Sequence, residues 1–137
     1  MIHLASLPAG SRPNHTELAA AAECPEQFLS KVLQNLTRAG LVTSHRGNTG
    51  GFELSRSRRG ASVLEVVEAI EGPIRLNLCL TSGHACDRQS WCPAHVVWAE
   101  AQKAMADVLQ KASIGDLAQQ AAARKEESPL VAGPTWA

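Results

Sequence analysis

The sequence predicts a mainly α-helical protein with one small β-hairpin, and three observations carry that prediction. Leu29, Val32, Leu33 and Leu36 place apolar side chains three, four and seven residues apart, the mark of a helix with one buried stripe. After Gly40 the pattern changes to "LVTSH", "RGNTGG" and "FELS", two short extended runs around a glycine-rich tip. From Pro93 to about Ala112 a second helical period returns and runs for several turns without interruption.

Taken in order, "IHLASL" reads as the end of a helix that stops before Pro8, and "AGSRPN" as a loop. Asn14 or Thr16 is placed to cap an Ala-rich helix over "HTELAAAAE". Cys24 and Pro25 break that helix, and Pro25 is expected at the first position of the next, where its missing N–H costs nothing. Gly40 is expected to end it in a left-handed cap. Helix, turn, helix and hairpin follow one another, with Gly47, Gly50 and Gly51 assigned to the hairpin tip.

One domain is expected from 137 residues with 45% hydrophobic content. No secretory leader and no run approaching the roughly 18 apolar residues of a membrane span is present, so a cytoplasmic protein without a membrane partner is expected. Net charge is zero but uneven. Residues 1–60 hold seven Lys/Arg against four Asp/Glu, while residues 61–137 hold six against nine. Between residues 31 and 60 the basic residues are Lys31, Arg38, Arg46, Arg56, Arg58 and Arg59, opposed by Glu53 alone, a patch suited to a polyanion.

On the helix from Pro25 to Gly40, the stripe opposite the leucines is Gln27, Ser30, Lys31, Gln34 and Arg38, all hydrogen-bond donors to phosphates or base edges. That chemistry suits the major groove of double-stranded DNA. The run "FLSKVLQNLTRAGLVTSHRGNTGGFEL" resembles the winged helix-turn-helix of the Rrf family of bacterial transcription regulators, and "RAGLV...RG...GG" is its most specific part. "ASVLEVVEAIEG" is similar to the helix after that family's wing, and the resemblance extends to about residue 120. It implies that Gln27, Ser30 and Lys31 meet bases and phosphates, and that Arg46 enters the minor groove, where a narrow groove's negative potential favours arginine. Members carry further residues ahead of the point matching "MIHLASL", so the first helix is expected to be truncated.

The stretch "CLTSGHACDRQSWCPAH" concentrates three of four cysteines and two of five histidines. Six residues separate Cys79 from Cys86 and five separate Cys86 from Cys92; His95 lies three beyond Cys92, behind Pro93. Pro93 should start a helix, which puts Cys92 and His95 on its first turn beside the positive end of its dipole, favourable for a thiolate. The gaps exceed those of zinc knuckles, and soft thiolates with one imidazole suit iron-sulfur or zinc. In the Rrf family this loop holds the cluster ligands. The resemblance therefore implies an iron-sulfur cluster on Cys79, Cys86, Cys92 and His95, with one inserted residue in the first gap leaving two-iron and four-iron types open. His84 is read as a solvated loop residue and Cys24 as a small buried hydrophobe.

Val97, Ala101, Met105, Val108, Leu109 and Ala112 form a stripe too long for a small core to bury, implying a partner helix. The family supplies one, an antiparallel homodimer that sets two winged domains on a palindromic operator. Ser113 and Asp116 are placed as a capping pair for a last short helix. The expected organisation is a winged helix-turn-helix over 1–72, a cysteine-rich cluster loop over 73–92, a dimerisation helix and short last helix over 93–123, and a disordered tail over 124–137. The expected function is a transcription regulator, a repressor whose operator binding responds to iron-sulfur status, nitric oxide or redox state. The alternative is a zinc or thiol protein whose winged domain no longer binds DNA. No CxxC pair, phosphate loop or nucleophile motif supports an enzyme.

Overall fold

The computed structural model describes residues 1–55, 60–83 and 86–127. Its elements run α1 (Ile2–Ser6), α2 (His15–Ala22), α3 (Glu26–Arg38), β1 (Val42–His45), β2 (Gly51–Leu54), α4 (Val63–Glu71), α5 (Pro93–Lys111) and α6 (Ile114–Glu127), with a 3-10 turn at Leu78–Leu80.

Local chemistry fixes the helix ends. Asn14 Oδ1 accepts from the Glu17 N–H at 2.9 Å while the Glu17 carboxylate accepts from the Asn14 N–H at 2.7 Å, a reciprocal cap that opens α2. Ser62 and Glu65 repeat the device at α4. At the end of α3, Gly40 sits at φ +70. There the Leu41 N–H donates to Leu36 O at 2.9 Å and the Gly40 N–H to Thr37 O at 3.0 Å, the two bonds of a glycine-closed helix terminus. Pro25 stands one residue earlier than expected: it is the N-cap, and Glu26 takes the first helical position.

The two strands pair antiparallel, Val42 opposite Leu54 and His45 opposite Gly51. Gly51 therefore belongs to β2, not to the tip. Leu29, Leu33 and Leu36 of α3 are buried with Leu18 and Ala19 of α2 and with Leu41, Val42 and Leu54, so α3 is held between α2 and the hairpin with its polar face outward.

The organisation expected for the C-terminal half changes in two respects. α6 does not project with α5; it packs on α1, and Ile114 and Ala118 share one core with Leu4 and Ala5. The cause lies in the backbone: Val63 N–H donates to Ala112 O at 2.8 Å and Ile114 N–H to Ala61 O at 2.9 Å, so the segment after α5 is stitched beside the start of α4. Ser113 Oγ accepts from the Asp116 N–H at 3.0 Å, the expected cap. α6 continues to Glu127, past the boundary expected at 124, because Ala121 to Glu126 keep good helix formers in place; residues 128–137, the rest of the expected tail, lie outside the described residues. No described helix is long and apolar enough to cross a membrane.

Candidate DNA interface and cysteine cavity

Gln27, Lys31, Gln34 and Arg38 are exposed on one face of α3, opposite its buried leucines. Ser30 departs from the expected stripe. It is half-buried, its Oγ 2.8 Å from His15 Nε2 and donating to Glu26 O at 3.0 Å, because α2 crosses α3 at this turn. His15 Nδ1 is in turn 3.5 Å from Glu26 Oε2. This contact was not legible in the sequence, since His15 and its partners lie on different helices. The only signal was its place directly after the capping asparagine.

The hairpin is fastened from its far side. Glu53 Oε2 lies 3.3 Å from Arg12 Nε and 3.2 Å from His45 Nε2, the latter off the line of a hydrogen bond. Phe52 N–H donates to Pro13 O at 3.0 Å, so the loop before α2 runs along β2. Arg46, the next residue after β1, is exposed at the tip that these contacts steady. Arg56, Arg58 and Arg59 of the basic patch lie outside the described residues. Between α3 and the hairpin opens a cleft of about 490 Å³ with Leu33 and Phe52 at its apolar floor and His15, Gln34, Thr37, Arg38 and Ser44 around it.

Cys79 lies in the 3-10 turn, which Asn77 caps by accepting the Leu78 N–H at 2.8 Å; Cys86 lies in the following loop; Cys92 is the N-cap of α5, with Pro93 at its first position. His95, one turn into α5, donates its backbone N–H to Cys92 O at 3.2 Å. All four expected ligands line one cavity of about 220 Å³, together with Arg88, Gln89 and Trp98. The three cysteines are half-buried free thiols. His95 Nδ1 is buried with no hydrogen-bond partner among the described residues, a costly position for a polar nitrogen unless it is ligated or bonded. Among the described residues no three His, Cys, Asp or Glu side chains are gathered closely enough to hold a single metal ion. His84 lies outside the described residues. Cys24 packs against the core away from this cavity, as expected.

α5 has two faces. His95, Ala99, Gln102, Ala106 and Leu109 turn inward, where the α4 side and the 3-10 turn meet it; Gln102 Oε1 accepts the Leu76 N–H at 3.1 Å. Of the stripe expected to meet a partner helix, Val97, Ala101 and Val108 lie exposed along another face with Ala104, Val97 at 65% and Val108 at 67%, whereas Met105, Leu109 and Ala112 are half-buried on the inward side. Lys103 and Asp107, 2.6 Å apart, mark the solvent side, and the Lys103 ammonium holds the Asp107 carboxyl below the usual carboxylate range.

A sequence-family profile described as "Iron-dependent Transcriptional regulator", Rrf2, matches residues 1–120. A Mycobacterium tuberculosis protein named as an HTH-type transcriptional regulator is 33% identical over 118 residues, 86% of this chain and 73% of that one. The HTH-type transcriptional regulator IscR of Vibrio campbellii is 27% identical over 90 residues, 66% of this chain and 53% of that one. Among solved structures, T. potens IscR superposes with a TM-score of 0.70 at 23% identity, covering 99% of this chain and 87% of that one. CymR of B. subtilis, titled a global cysteine regulator, gives 0.66 at 24%, covering 87% of each. The structural likenesses establish the fold, a winged helix; the sequence relatives are regulators, not enzymes.

Proposed function

This chain belongs to the Rrf2 family of transcriptional regulators, and from that premise we propose that it is an operator-binding homodimer whose DNA affinity is set by an iron-sulfur cluster held on Cys79, Cys86, Cys92 and His95. The observation that carries the proposal is the single cavity of about 220 Å³ that these four side chains share. Three thiols and one imidazole suit an iron-sulfur cluster or zinc, the family resemblance favours the cluster, and the unpartnered His95 Nδ1 leaves the ring in need of a partner. When bound, the cluster supplies redox- and nitric-oxide-sensitive chemistry.

The chain's own contribution is placement. Cys92 at the N-cap of α5 sits where the helix dipole favours a thiolate, and His95 follows on the same turn. In this reading Gln27, Lys31, Gln34 and Arg38 present donors to the major groove and Arg46 reaches the minor groove, while the exposed Val97–Val108 face meets the same face of a second copy. Residues 1–72 with α6 then form the DNA-binding unit, residues 73–92 the sensing loop and α5 the dimerisation helix.

Anaerobically purified protein tests the proposal directly. Visible absorption with stoichiometric iron and sulfide, and operator affinity that differs between cluster-bound and cluster-free protein, are expected. Colourless protein carrying zinc, or equal affinities in both states at one salt concentration, overturns it, because a ligand bound equally to two states shifts neither.

A further inference from the structure

The contacts of His15 contain a proton inventory. Ser30 has one hydroxyl proton and two contacts, Glu26 O at 3.0 Å and His15 Nε2 at 2.8 Å; where the proton goes to Glu26 O, Ser30 Oγ accepts from a proton on Nε2. At the other side of the ring, Nδ1 faces the Glu26 carboxylate at 3.5 Å, an attractive contact only when Nδ1 also carries a proton. The neutral ring with its proton on Nε2 sets a lone pair against a carboxylate. The other neutral form takes the serine proton away from Glu26 O. Each neutral form leaves one of the three contacts unmade, so added negative charge beside the ring favours a second proton.

We infer that His15 is a DNA-contacting residue that binds as the imidazolium, so that operator binding takes up a proton. The inference rests on the DNA-binding reading above. His15 lines the cleft between α3 and the hairpin with Gln34, Thr37, Arg38 and Ser44, a cation, an amide and two hydroxyls suited to a backbone phosphodiester passing from the major to the minor groove. An incoming phosphodiester adds negative charge beside the ring and favours its charged form. The charged groups facing His15 from α3 are Glu26, across the ring, and Arg38, across the cleft; the hairpin contributes Ser44 and Phe52, which do not titrate. Glu17 on its own helix is turned to the Asn14 N–H at 2.7 Å, and His45 is engaged with Glu53.

The test uses the full-length protein and a duplex it selects from a random pool, with affinity measured at constant salt between about pH 6 and pH 8, the range in which histidine changes charge. Wild-type affinity is expected to fall with rising pH more steeply than that of His15→Gln, by about three- to tenfold over the range for one linked proton. His15→Lys, charged throughout, is expected to hold the low-pH affinity at the high end. Circular dichroism and thermal unfolding verify that each variant is folded, and if His15→Gln is not, His15→Lys against wild type decides. Equal pH slopes for wild type and a folded His15 variant overturn the inference alone. Failure of the wild type to retain any duplex at any pH overturns the DNA-binding reading with it.

Discussion

The backbone N–H of Val63 donates to the carbonyl of Ala112 at 2.8 Å, joining the first residue of α4 to the residue that ends α5. This bond isolates cleanly. Proline at the first position of a helix keeps the helix, and Ser62 before it already has the extended backbone (φ −76, ψ 159) that a following proline requires. Val63→Pro is therefore expected to cost about 1 kcal/mol more than Val63→Ala in urea unfolding, the penalty of leaving the Ala112 carbonyl without its donor. Equal stabilities for the two variants would remove the bond from any structural role.

Gly51 is expected to tolerate no side chain. A Cβ there would collide with the carbonyl oxygen of Arg12 and lie 2.7 Å from that of Pro13, both backbone atoms that cannot swing aside. Gly51→Ala should lower stability by about 1 to 3 kcal/mol and loosen the hairpin from the loop before α2, read as faster amide exchange at Phe52.

Arg46→Ala should weaken operator binding by about 1 to 3 kcal/mol without changing the unfolding midpoint. Lys31→Ala, if it removes one phosphate contact, should weaken specific and random duplexes alike and reduce the slope of affinity against salt by about 1. A pair of isotherms that superimpose on wild type across the salt series would displace these side chains from the interface.

Each of Cys79→Ala, Cys86→Ala and Cys92→Ala should abolish the visible chromophore, whereas Cys24→Ala should retain it. His95→Cys should keep a cluster with an altered spectrum and a lower potential, since thiolate is the more electron-rich ligand. Retention of an unchanged spectrum in His95→Ala would release His95 from the ligand set.

Val97→Glu with Val108→Glu should convert the dimer to a monomer in sedimentation while leaving the unfolding midpoint close to wild type, because both side chains are exposed in the single chain. An undiminished dimer would move the association surface elsewhere.

Much of this was written in local patterns. The leucine spacing of α3, the reciprocal cap at Asn14, the glycine end at Gly40 and the hairpin are decided by residues close in sequence, and the structure returns them within a residue or so. The grouping of four ligand candidates was legible because a short loop and a helix start cannot place them far apart. What escaped depended on contacts between distant segments. Ser30 looked exposed by helical spacing, but spacing cannot report that His15 comes across from α2 to cover it. The last helix was grouped with α5 in one range, and only the pairing of Ala61–Val63 with Ala112–Ile114 shows that it returns to the winged core.

That return has a consequence for how the protein is made. Leu4 and Ala5 complete a core with Ile114 and Ala118, so the contact that closes the winged domain spans nearly the whole described length. A nascent chain emerges from its N-terminal end, and contacts of such long sequence separation form late. While the ribosome is still making α5, α1 can rest on β2 and the leucine core, but its larger contact, with α6, is still to come. The cysteine loop is thus synthesised before the winged core can close. Order of synthesis places that loop ahead of the last contact of the domain it follows.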